Sequence, residues 1–104
     1  MHQRNTERMP INLSARFPCA NAFCPGTVTD LSENGLFINT ELCFPVDSKI
    51  QIFIKLKDEM LKLPVEIVRI VKSGYKYTGM GVKILSIPKQ YLEFVIKLHL
   101  NDEH

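Results

Sequence analysis

Residues 49–71 read KIQIFIKLKDEMLKLPVEIVRIV, and their reading decides the fold. Ile50, Ile52, Ile54 and Leu56 fall on one face of an extended chain, with Gln51, Phe53 and Lys55 on the other. Alternation with a period of two is the signature of a half-buried strand. The polar stretch KDEM turns the chain, after which Leu63, Val65 and Ile67 alternate again. Val68 and Ile70 then continue in the opposite phase. One change of phase inside a long strand predicts a β-bulge, where an extra residue is accommodated and the strand continues.

The same period runs outward from this hairpin. Ile11, Leu13, Ala15 and Phe17 alternate with Asn12, Ser14 and Arg16, predicting a first strand after Pro10. Pro18 and the Pro25-Gly26 pair punctuate the path to a second strand around residues 27–30, and Leu36-Phe37-Ile38 begins a third. Asn34-Gly35 between those strands is a strong two-residue turn signal, with Gly35 supplying positive φ. Pro45 and Asp47-Ser48 mark a further connection, and Ser73-Gly74 precedes a last strand in which Val82 and Ile84 point inward. The end of the chain changes period. Ile87, Tyr91, Phe94, Val95 and Leu98 recur at spacings of three and four, predicting a helix with Ser86 as its cap and Pro88 in its first turn. The expected fold is therefore mainly β: a six-stranded antiparallel β-barrel with a C-terminal α-helix. Residues 1–9 are read as a flexible arm and residues 10–100 as the domain.

Composition excludes several classes. At 104 residues, with 45% hydrophobic and 23% charged, the chain suits one domain that buries a core without metal or disulfide support. A net charge of +2 gives no general argument for nucleic acid or anionic membranes. No apolar run is long enough to span a bilayer and no signal-peptide core follows Met1, so a soluble cytoplasmic protein is expected. Three cysteines are read as small buried or half-buried hydrophobes without chemistry, four residues separating Cys19 from Cys24. His2, His99 and His104 sit at the chain ends, and no metal site is expected. No nucleophile–base set, glycine-rich phosphate loop or convergent carboxylate pair is present, so no enzymatic activity is expected.

Two polar features remain. Arg4 and Arg8 form R-x-x-x-R in the arm; their planar guanidinium forks suit phosphates and stack on aromatic bases. Taken alone, they read as a pair of arginines keeping a tail soluble. Asp30, Ser32 and Gly35 form D-x-S-x-x-G. A carboxylate there suits the N–H edge of a guanine, a hydroxyl adds a small donor or acceptor, and glycine permits close approach. Taken alone, these read as residues satisfying a strand-ending turn.

In combination the features resemble the PilZ domain family, whose pattern is R-x-x-x-R followed some twenty to thirty residues later by (D/N)-x-S-x-x-G. RNTER supplies Arg4 and Arg8, and DLSENG supplies Asp30, Ser32 and Gly35. RMPINLSARF, GTVTDLSENGLFI, VEIVRIV and TGMGVKIL extend the resemblance from Arg4 to Leu98. It implies a six-stranded barrel with a C-terminal helix and a receptor for the second messenger cyclic di-GMP. Arg4 and Arg8 would hold phosphates and stack on guanine as the arm folds over, while Asp30 and Ser32 would contact a second guanine and Gly35 would leave room at the hairpin. Asn5 stands where many ligand-binding members carry a second consecutive arginine, removing one contact. The implied role is an adaptor that reports to an unidentified downstream protein in motility, pilus, exopolysaccharide or biofilm control. The alternative is a nucleotide-independent interaction module of pilus or motility machinery. The expected partners include neither nucleic acid nor an inserted membrane, and a monomer or weak homodimer is expected. Cyclic di-GMP would be a ligand; no cofactor is expected.

Overall fold

The computed structural model of the chain describes residues 9–102, so Arg4 and Arg8 lie outside the described residues. Six strands and one helix follow in order: β1 (Met9–Cys19), β2 (Ala22–Leu31), β3 (Gly35–Asn39), β4 (Lys49–Leu56), β5 (Glu59–Ser73), β6 (Lys76–Ile84) and α1 (Lys89–Asp102). The strands close into an antiparallel barrel in the order β1-β2-β3-β6-β5-β4. Closure is completed where Ala15 pairs with Ile54 and Arg16 with Phe53. That short pairing joins the first and fourth strands to each other in place of two outer edges. The first strand begins two residues earlier than its sequence suggests, at Met9, whose side chain is already buried.

Each strand turns its apolar set inward, as the period of two requires. Ala15, Phe17, Val28, Leu36, Ile38, Ile52, Ile54, Leu63, Val65, Ile67, Met80 and Val82 share one core. The expected bulge is present, with the β5–β6 register shifting between Ile67 and Arg69. Its residues settle differently from the sequence reading: Val68 is the extra residue and is exposed, whereas Ile70 packs against the core. The shift lets the outward face of β5 resume at Arg69, which matters for the surface described below. Further shifts occur between Pro10 and Leu13 and between Val28 and Asp30, where the sequence shows no break of period.

Helix α1 lies across the barrel end where β2 passes into β3 and β4 into β5. Tyr91 and Val95 are buried in the barrel core, and Phe94 and Leu98 pack at its margin. Ile87, expected on the same stripe, precedes the helix and is exposed. The helix begins at Lys89, with the Pro88 carbonyl accepting from the N–H groups of Tyr91 and Leu92. Pro88 thus stands at the boundary, and Ser86 lies two residues outside it. Among the described residues no helix is long and apolar enough to cross a membrane.

The cysteines depart from expectation. Cys19 and Cys24 form a disulfide across the β1–β2 hairpin at the opposite end of the barrel, with Cα atoms 6.0 Å apart. Strand pairing is the reason. Phe17 faces Cys24 and Cys19 faces Ala22, so antiparallel register brings the two thiols within bonding reach. Cys43 is the free thiol, half-buried as expected; burial holds its pKa above the usual value. A neutral thiol is the result at ordinary pH.

The two-residue turn inside the disulfide loop is strained, because Ala20 adopts φ 51°. A left-handed backbone costs a residue with a Cβ about 1–2 kcal/mol, part of which glycine returns as unfolded-state entropy. Ala20→Gly should therefore stabilise the fold by about 0.5–1 kcal/mol. Equal or lower stability in urea unfolding would contradict the role given to this turn.

Candidate functional site

The connection between β2 and β3 is built differently from the turn its sequence suggests. Neither Asn34 nor Gly35 has positive φ. Gly35 is instead the first residue of β3, and a Cβ there would stand 2.6 Å from the Val82 carbonyl oxygen. Glycine is needed because the β6 backbone passes too close for a side chain. The turn is held by Ser32, whose N–H donates to the Gly35 carbonyl at 2.9 Å and whose Oγ lies 3.4 Å from the same oxygen. The Asn34 carbonyl in turn accepts from the Ile84 N–H at 2.9 Å. Ser32 is only 3% exposed, and its own carbonyl accepts the Tyr91 hydroxyl at 2.6 Å. Helix α1 is thereby bonded directly to the centre of D-x-S-x-x-G.

Of the three residues of that motif, Asp30 alone presents its side chain toward the outer surface. It is half-buried and already engaged with a neighbouring group. Strand register places it in one transverse row. Pro10 pairs with Asp30, Asp30 with Phe37, Phe37 with Gly81, and Gly81 with Arg69. Partners in register share a face of the sheet, so this row crosses the outside of five strands. The Arg69 guanidinium lies 5.3 Å from the centroid of the Phe37 ring, within cation–π range. The glycines make that contact possible. A Cβ at Gly79 would meet the Phe37 ring and one at Gly81 would come within 3.1 Å of the Arg69 side chain. With hydrogen at both positions, the Phe37 ring and the Arg69 chain lie down across β6.

The surface thus carries a carboxylate beside an aromatic ring and a guanidinium that lie flat over the glycines of β6. Such a surface suits a flat polar heterocycle: ring faces stack on Phe37 or Arg69, and an N–H edge donates to Asp30. Phe37 and Arg69 were not singled out in the sequence. Phe37 is hidden inside the apolar run Leu36-Phe37-Ile38, and Arg69 inside a strand whose phase changes one residue before it. The alternating glycines of Gly79-Met80-Gly81 were the available signal, since two outward positions without side chains leave room for something to lie over them. Among the described residues no group of three His, Cys, Asp or Glu side chains is placed to hold a metal ion.

The two kinds of glycine should respond differently to a methyl group. Gly35→Ala drives Cβ into backbone and should cost about 1–3 kcal/mol. Gly81→Ala meets a flexible, exposed side chain and should stay within about 0.5 kcal/mol of the parent. Urea unfolding of both variants checks this; equal losses would remove the distinction between a backbone contact and a flexible side-chain contact.

Comparison with known proteins places this geometry. The PilZ domain family profile matches residues 2–98. A search of curated proteins finds no match. Among solved structures, the Bacillus subtilis inhibitor of motility (MotI/DgrA) superposes with TM-score 0.79 at 16% identity; the alignment covers 100% of this chain and 55% of that one. This chain thus spans little more than half of that protein. The PilZ domain of YcgR from Escherichia coli, with c-di-GMP, gives TM-score 0.68 at 14% identity, covering 93% of this chain and 88% of that one. The PilZ domain of CeSA from a cellulose-synthesizing bacterium gives 0.62 at 22% identity, covering 95% and 100%. At these identities the superpositions speak for the fold. With the profile covering nearly its whole length and the same barrel in its neighbours, this chain belongs to the PilZ domain family.

Proposed function

We propose that the chain is a cyclic di-GMP receptor that acts as an adaptor rather than an enzyme. A guanine edge donates to Asp30, and the base stacks on the Arg69 guanidinium that lies against Phe37. Arg4 and Arg8 close from the arm onto the phosphates and the outer base. Ser32 and Gly35 shape the turn that presents Asp30. The observation that carries this reading is the register of β1 and β2. Met9 pairs with Leu31 and Pro10 with Asp30. Met9, the residue that follows Arg8 in the sequence, is thus paired one position from the carboxylate with which Arg8 would work. Ordering of a cationic arm on binding is a change a partner protein can read. Motility, pilus and exopolysaccharide control are the processes this receptor would serve, the similar YcgR domain being described with c-di-GMP and the similar MotI as an inhibitor of motility.

A second reading has its own support. Ser32 bonds within the turn and receives α1 on its carbonyl, while Gly35 lets the turn pack against the β6 backbone. D-x-S-x-x-G therefore has a structural use in a nucleotide-independent interaction module as well.

Titration calorimetry with cyclic di-GMP separates the two. The parent should release heat on binding. Arg8→Ala, Asp30→Ala and Arg69→Ala should each weaken affinity by about 10-fold or more, the value of one charge-assisted hydrogen bond or desolvated stacking contact. Absence of heat from the parent chain at about 100 μM, a concentration that detects Kd values well above 1 μM, would rule out the receptor.

A further inference from the structure

Helix α1 is apolar on two sides. Tyr91 and Val95 enter the barrel, while Leu92, Ile96 and Leu100 are 39%, 50% and 58% exposed. These three follow at i, i+4 and i+8, so they form one continuous stripe about 12 Å long on the solvent side. The segment leading into the helix adds exposed Leu85 and Ile87. One isolated exposed leucine is ordinary; an aligned stripe on an element already anchored by its other face marks an interaction surface.

We propose that this stripe is the contact between two copies of the chain, with their α1 helices antiparallel and the two-fold axis at Ile96. This surface is separate from the Asp30–Arg69 row, and the proposal does not rest on nucleotide binding. The argument for a second copy is the self-complementary order of the residues. Antiparallel alignment about Ile96 sets Leu92 against the partner's Leu100, and Leu100 against the partner's Leu92. Glu93 and Lys97, both exposed, lie one residue past Leu92 and Ile96 and so share one edge of the stripe. A two-fold axis across the helices keeps like edges together but reverses their direction. Glu93 is thereby brought beside the partner's Lys97, and Lys97 beside the partner's Glu93. A parallel two-fold pair would put the two Glu93–Lys97 edges on opposite sides of the contact, where these cross-helix pairs cannot form. The charges therefore select the antiparallel arrangement. A stripe of three residues is much smaller than the roughly 800 Å² per partner typical of stable complexes. The dimer is accordingly weak and depends on concentration.

Sedimentation equilibrium of the 104-residue chain tests this. The weight-average mass should rise from 11.9 kDa toward twice that value as concentration climbs from about 10 μM to about 1 mM, the range of a weak interface. Ile96→Glu sets two carboxylates together at the axis and should weaken association at least about 10-fold. Leu100→Glu is a second exposed position that should act in the same direction, and unchanged far-UV circular dichroism certifies the fold of both. Glu93→Lys and Lys97→Glu should each weaken association about 3-fold, and the double exchange should restore it. A mass fixed at 11.9 kDa throughout would overturn the proposal and assign the stripe to a different protein. Association of Ile96→Glu and Leu100→Glu as tight as the parent's would overturn the interface, and a double exchange no tighter than the single variants would overturn its antiparallel register.

Discussion

The pairing of β1 with β4 is the contact on which the rest depends. It joins the first strand to the fourth and converts a six-stranded sheet into a barrel. Once closed, the sheet has a single inside, and every strand must send its apolar residues there. The outside is then organised by register alone, because antiparallel pairing assigns each outward residue a neighbour on both sides. The row from Pro10 through Asp30, Phe37 and Gly81 to Arg69 is a product of this constraint. Its members come from five strands and are separated by up to 71 positions along the chain (from Pro10 to Gly81).

Two bulges adjust that row. The register shifts between Val28 and Asp30 on β2 and between Ile67 and Arg69 on β5. In each case an extra residue is taken up just before the functional side chain, which returns Asp30 and Arg69 to the outward face. A regular ladder carried through either site would give the opposite facing. The bulges therefore aim side chains at the surface, a use of irregular pairing common near binding sites.

Helix α1 connects this surface to the stripe on its own solvent side. Tyr91 is buried in the core and bonds the carbonyl of Ser32, two residues from Asp30. Leu92, its neighbour in sequence, belongs to the exposed stripe. One helix thus touches the turn that shapes the candidate ligand surface and carries the face assigned to a second copy. A shift of the Ser32 turn has a short covalent and hydrogen-bonded route to that face. Whether the two are energetically coupled is a separate property from the existence of either, since coupling requires two arrangements that each site favours differently.

Local chemistry made much of the fold legible. Period-two alternation identified the strands, the spacing of Tyr91, Phe94, Val95 and Leu98 identified the helix, and the broken phase after Ile67 announced a bulge. R-x-x-x-R and D-x-S-x-x-G carried the family resemblance that the profile match over residues 2–98 supports. Relations between distant residues were not legible. The Cys19–Cys24 bond needed the register of a hairpin, and the requirement for glycine at Gly35 came from the Val82 carbonyl on a strand remote in sequence. Phe37 and Arg69 became part of a surface only when the barrel closed around them. A sequence determines the propensity and facing of each segment because those depend on neighbours along the chain. Which segments stand side by side is decided by the shared core and the pairing of backbones, and that is where the site is made.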